Sequence, residues 1–149
     1  MIVVEIQTNA DKILAFLRET DIKLKQFKVP LKEAGLLMIK SIDTNFKVEG
    51  RPNRWKPLKP ATIKRKRSSA ILQDTGTLKN SMSLEVKGTD AVSIGTTIEY
   101  ATTHNFGSKE RKIPQRKFML FQEEDKKRID SIFLKFMGRA LTDTLTSIG

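Results

Sequence analysis

His104 is the single histidine in a chain of 149 residues that has no cysteine. Imidazole is the side chain best suited to moving a proton near neutral pH, so nucleophilic chemistry would have to be built around this residue. Its neighbours do not complete such a device. Thr102 and Thr103 supply hydroxyls, but no carboxylate lies nearer in sequence than Glu99. The lack of cysteine removes thiolate nucleophiles, disulfide frameworks and Cys-based zinc sites together. None of the phosphate-cradling or zinc-binding patterns GxxxxGK[ST], GxGxxG and HExxH occurs. The acids Glu123, Glu124 and Asp125 cluster, but the positive end of a helix dipole accounts for them there, leaving carboxylate-pair or divalent-metal chemistry without specific support. The residues point to a protein that is not an enzyme and needs no cofactor, with His104 in a structural role.

What the chain has in excess is positive charge: 28 Lys and Arg against 17 Asp and Glu, a net +11. A field of that sign attracts polyanions and acidic partner surfaces. It is concentrated in two stretches. The first, residues 51–67, carries Arg51, Arg54, Lys56, Lys59, Lys64, Arg65, Lys66 and Arg67 with no acid, and includes the only tryptophan, Trp55. Three prolines exclude a regular helix interior or central strand from residues 51–60, so an extended loop is expected. Trp55 either pins that loop to the core or serves as an interface hot spot, where Trp and Arg are enriched. The density of charge makes these residues candidates for polyanion contact, DNA included. The alternative is a solvated charge run, or an arm that orders against a partner.

The second stretch follows Gly107 and carries Lys109, Arg111, Lys112, Arg116 and Lys117, with Glu110 as its only acid and Pro114 breaking it. It lies between two apolar segments. Phe106, Ile113 and Phe118 are expected to anchor it, while Lys109, Arg111, Lys112 and Arg116 face a neighbour. Such a loop suits contact between proteins better than chemistry.

The elements that must hold these loops are legible from periodicity. Ile2, Val4 and Ile6 alternate with Val3, Glu5 and Gln7, as in a half-buried strand. A helix should follow, capped by Thr8 or Asn9, with Asp11 in its first turn and Ile13, Leu14, Leu17 and Leu24 as its stripe. From Pro30, the residues Leu31, Ala34, Leu37, Met38, Ser41, Ile42 and Phe46 recur at helical spacing, ending at a left-handed cap on Gly50. Gly35 inside that pattern suggests close approach of a neighbouring helix. Gly76 reads as a turn before a helical turn over 78–82. Residues 83–87 and 91–96 form a β-hairpin around Gly88-Thr89-Asp90. Residues 98–106 fit a short helix or a bent strand, with Tyr100, Ala101 and Phe106 inward. Residues 118–121 read as a short buried strand. Ile129, Ile132, Phe133, Phe136, Met137, Ala140, Leu141 and Leu145 place a last helix over 123–146. The expectation is a single α+β domain over residues 1–149: three longer helices packed on a small, mainly antiparallel sheet, with two long basic loops. The first residues lack a signal-peptide pattern and no apolar run reaches the roughly 20 residues that span a bilayer, so cytoplasmic synthesis is expected, without membrane contact.

Taken in order, five motifs resemble one family. They are G-RP-x-x-W-x-PL at 50–58, L-x-x-TG-x-L-x-x-S at 72–81, V-x-IGT at 92–96, YA-x-x-HNFG at 100–107 and IP-x-R-x-F at 113–118. Their order and spacing resemble the phage virion morphogenesis family, the Mu-like tail-completion proteins of tailed phages and prophages. Members more often read HQFG and carry a small residue after the IP-like proline, where Asn105 and Gln115 stand here. The resemblance implies a virion protein, made in the host bacterial cytoplasm, that completes the tail or joins tail to head as a ring-forming subunit. Its partners would be other copies of itself and other tail or neck proteins. The alternative from the residues alone is a nucleic-acid-binding module acting through residues 51–67.

Overall fold

The computed structural model describes residues 1–7 and 27–148. These form an α+β fold of five helices and a three-stranded antiparallel sheet: β1 (Ile2–Gln7), α1 (Lys28–Val48), α2 (Pro60–Arg65), α3 (Thr77–Asn80), β2 (Ser83–Lys87), β3 (Ala91–Thr96), α4 (Tyr100–Phe106) and α5 (Glu123–Ile148). Two of the three longer helices expected are α1 and α5. The helix expected after Thr8, with its Asp11 to Leu24 pattern, lies outside the described residues.

The core is built on α1. Leu31, Ala34, Met38, Ile42 and Phe46 repeat at helical spacing and are each at most 1% exposed. Helix α1 begins two residues before Pro30, which sits in the first turn, where a missing N–H leaves no intrahelical bond unmade. Its stripe crosses the sheet, whose strand order is β1-β3-β2. The register aligns Ile6, Val92 and Val86 in one rung and Val4, Ile94 and Leu84 in the next. Val92 and Ile94 on the central strand are fully buried, as the pattern of alternating apolar residues requires. Gly35 does mark a close approach, but to the sheet and not to a helix: a Cβ there would collide with the side chains of Leu84 and Val92.

Helix α1 ends in two steps. Glu49 takes the left-handed conformation at φ 57° and donates its N–H to the carbonyl of Asn45. Gly50, expected to be the cap itself, follows at φ 110° and donates to the same carbonyl at 2.9 Å. A Cβ on Gly50 would meet the carbonyl of Asn53 and Cδ1 of Trp55, each at 2.7 Å. The tight turn needs glycine, and it is what throws the first basic stretch back across the core.

Helix α5 packs along α1. Its first turn holds Glu123, Glu124 and Asp125. Asp125 reaches back to accept the N–H of Gln122 at 3.2 Å, the N3-to-cap half of a capping box. Further along, Phe133 and Phe136 pack against Phe27, at ring-centroid distances of 6.3 and 5.3 Å.

Three expectations are corrected. Within residues 98–106, read as a short helix or a bent strand, Tyr100–Phe106 form helix α4 with Ala101 and Asn105 on its buried side; Tyr100 and Phe106, expected inward, are 45% and 60% exposed. In so short a helix the i, i+4 pair Ala101 and Asn105 defines the inner face, which turns residues 100 and 106 outward. Residues 118–121 are buried at Phe118 and Met119 but do not form a strand, because side chains and not a neighbouring strand satisfy their backbone, as shown below. Residues 60–65, within the first of the two basic loops expected, form α2, entered through Pro60 at its first position.

Candidate functional site

The two basic stretches, far apart in sequence, are laced into one structure. Trp55 is buried, with its indole N–H donating to the carbonyl of Lys117 at 3.1 Å. Its ring meets Phe46 edge-on at 5.8 Å, and Phe46 also meets Phe118 at 5.3 Å. One aromatic cluster on α1 therefore anchors both stretches. Trp55 takes the anchor role of the two considered for it.

Arg116 completes the lacing and is corrected from contact residue to strut. It is 6% exposed. Its Nε and Nη2 donate to the carbonyl of Lys56 at 3.1 and 2.9 Å, and Nη2 also approaches that of Pro57 at 3.4 Å. Its backbone N–H donates to the carbonyl of His104 at 2.9 Å. Carbonyls outside any ladder need donors, and a guanidinium presents several in one plane.

Beneath lies a polar network that binds residues 116–122 to α1. Asn105 accepts the N–H groups of Phe118 and Met119 through Oδ1, both at 3.1 Å. Asn45 donates to the carbonyl of Phe118 at 2.9 Å. These two amides do for the Phe118 backbone what a neighbouring strand would do. Arg51, expected to meet a polyanion, turns inward instead: Nε donates to Asn45 Oδ1 at 2.8 Å, and Nη2 to the carbonyl and Oγ of Ser41, both at 2.7 Å. Ser41 Oγ in turn donates to Asp125 Oδ2 at 2.5 Å. Asp125 is 2% exposed, so the carboxylate is held by its hydrogen bonds rather than by water. Sequence reasoning placed Ser41 within the α1 stripe but gave this network no role. The available signal was two polar residues, Ser41 and Asn45, in phase with an otherwise apolar helix face.

Above the network the surface opens into a groove of about 1230 Å³. Leu58, Leu72, Leu78 and Ile113 are among the residues that line it, and Tyr100, His104 and Phe106 contribute from α4. Lys56, Lys59, Arg65 and Lys66 enter it from the first stretch; Lys109, Arg111 and Lys112 enter it from the second. Asp74 is the only acid among the described residues of the lining. Lys66 donates to the carbonyl of Ala70 at 2.6 Å. Arg54, Lys64 and Arg67 are exposed outside the lining. The second stretch is shorter than a free loop of its length: Ser108 and Ile113 exchange backbone hydrogen bonds, both at 2.8 Å, and present Lys109, Arg111 and Lys112 on the tight turn between them. Gly107 permits that turn, since a Cβ there would lie 2.8 Å from the N of Gln115. Of the expected anchors, Phe118 is buried, Ile113 half-buried, and Phe106 exposed at the groove edge.

His104 stands in the groove wall with its ring edge-on to Tyr100, 5.9 Å between centroids. Its Nδ1 is buried without a hydrogen-bond partner. Burial, then the charges of Arg116 and Lys66, push its pKa below the ordinary histidine value. Among the described residues no acid is bonded to it. The shift makes a pH prediction. The unfolded chain protonates His104 first as pH falls, so its stabilising contribution is complete above the ordinary value of about 6.5 and is lost as pH drops from there toward the depressed folded value. Asp43 and Glu123, held low mainly by hydrogen bonds from Lys47 and Lys126, lose their contributions only in the lower carboxylate range. Unfolding free energy should therefore decline as pH falls below about 6.5, and His104→Asn should flatten that decline. An unchanged slope in the variant would assign the decline to other groups.

Among the described residues, no group of three His, Asp or Glu side chains is placed to hold a metal ion, and no helix is long and apolar enough to cross a membrane. Comparison with curated proteins and with solved structures finds no match. The model of the phage virion morphogenesis family matches residues 6–138, a span that takes in the aromatic anchor, the Arg116 strut and both banks of the groove. The chain belongs to the phage virion morphogenesis family.

Proposed function

We propose that this chain is a single-domain structural subunit of a tailed phage or prophage particle. In this reading it completes the tail, or joins tail to head, as one member of a ring at the neck or tail end. The role in building virions follows from the family. The finer reading rests on one observation: Trp55, Arg116 and Phe46 join two cationic stretches into a single rim around one groove. A ring requires a heterologous contact, in which one face of a subunit meets a different face of the next. A rim held in place before assembly loses little freedom on binding, which favours association.

The test separates contact residues from folding residues. Lys109, Arg111 and Lys112 are exposed and take part in none of the ion pairs among the described residues. Replacing all three by Glu should abolish ring formation, measured as mass in solution across concentration, and the rescue of particles lacking the wild-type gene. The melting temperature should stay nearly unchanged, because surface substitutions away from buried features rarely exceed about 0.5 kcal/mol. Normal rescue by the triple variant would remove the rim from assembly. Tight binding of duplex DNA by the isolated chain, falling steeply with salt, would favour the nucleic-acid reading instead.

A further inference from the structure

The groove has a chemistry more specific than positive charge. Its lining carries Lys59 and Arg65 from the first stretch and Lys109, Arg111 and Lys112 from the second, with Asp74 the only acid among the described residues of the lining. Asp74 already accepts the backbone N–H of Arg67 at 2.8 Å. The four ion pairs among the described residues involve none of these five cations. The lining also holds apolar side chains: Leu58, Leu72 and Ile113 are half-buried, and Phe106 is 60% exposed.

We propose that the groove binds an extended acidic peptide segment of an assembly partner, seating an aromatic or aliphatic side chain on the apolar floor between carboxylates gripped by the two banks. The inference rests on the reading of the rim as an assembly contact and names the chemistry of what fills it. A concave surface with an apolar floor gains most from a ligand that brings apolar side chains to bury. A duplex is convex and offers phosphates, which match the banks but leave the floor empty. Arginine on a bank can fork onto a carboxylate, and the surrounding lysines add charge without fixing geometry. A single strand of nucleic acid could stack on Phe106 and Tyr100, which are exposed at the groove, so an oligonucleotide competitor decides between the two ligands.

The experiment measures fluorescence anisotropy of the full chain with a labelled peptide in which one Phe is flanked on both sides by runs of Glu. Three competitors are run beside it: the same peptide with Gln for Glu, the same with Ala for Phe, and an oligothymidylate of equal charge. Saturable binding of the Glu–Phe peptide is expected, lost in the Gln form. The Ala form should bind at least roughly tenfold more weakly, the loss expected when a ring no longer fills an apolar floor. Arg65→Glu and Arg111→Glu should each weaken the peptide at unchanged melting temperature. The proposal is overturned by absent saturable binding, by equal affinity of the Phe and Ala peptides, by tighter binding of the oligonucleotide, or by indifference to both substitutions. If the peptide does not bind but the Lys109, Arg111, Lys112 charge reversal still blocks particle assembly, the assembly reading stands and the peptide inference falls. If the peptide binds while particles assemble normally without the protein, the assembly reading falls instead.

Discussion

Phe46→Ala should destabilise the chain by about 3–5 kcal/mol, the range for removing a fully buried aromatic ring. Phe46 is 0% exposed and touches one anchor from each basic stretch, Trp55 and Phe118. Three losses add in the same direction. The ring's apolar surface no longer leaves water on folding. A cavity remains, because the surroundings of a deleted core side chain relax only partially. The two aromatic pairs disappear, each contributing roughly 0.5–1.5 kcal/mol beyond area. Denaturant unfolding measures the total. Trp55 provides a second reading in the native state: with its packing partner gone, its fluorescence should shift to the red even before unfolding. Phe46→Leu should recover much of the loss by refilling the cavity. A cost under about 1 kcal/mol for Phe46→Ala would mean that the anchor lies elsewhere.

That a phenylalanine inside a helix holds two distant loops was half legible in the sequence. The spacing from Leu31 to Phe46 specified the buried face of α1, and Trp55 in a proline-rich loop suggested an anchor. The hairpin at residues 83–96 was legible for the same reason: local alternation and a glycine turn determine it with little help from the rest of the chain. The groove was not legible as one site. Its banks are separated by about forty residues of other elements in sequence, and the contacts that join them run from side chains to backbone carbonyls, which carry no sequence identity. The same reason explains residues 118–121. Their apolar run has the composition of a strand, but Asn45 and Asn105 supply the hydrogen bonds a sheet would have supplied. Two asparagines on different helices give no local pattern that competes with the β signal. Phe106 failed differently: a large apolar residue is expected inside, yet at the last position of a short helix only one face is covered, and residues 101 and 105 occupy it.

Arg116 is where charge misleads most, and its substitution has the second of the large effects. Arg116→Ala should cost about 2–4 kcal/mol, since charged hydrogen bonds contribute roughly 1.5–3 kcal/mol and removing a buried side chain leaves an unfilled space. Arg116→Lys should recover only part of this, because one ammonium cannot place two parallel donors on the carbonyl of Lys56. The contrast with Arg111 decides the role. Arg111 is exposed, so Arg111→Ala should leave the melting temperature within about a degree or two while reducing assembly. Arg116→Ala should lower both together, and the lost assembly should return when the variant is stabilised, by lower temperature or by a compensating core substitution. The two arginines sit five positions apart on one basic stretch, and both were expected to face a neighbour. If Arg116→Ala left stability intact and abolished assembly at every temperature, the guanidinium would be gripping a partner, and the bonds to Lys56 and Pro57 would belong only to the free subunit. The geometry argues for the opposite order of causes: Arg116 joins the banks, and the joined banks present Lys109, Arg111 and Lys112 to whatever enters the groove.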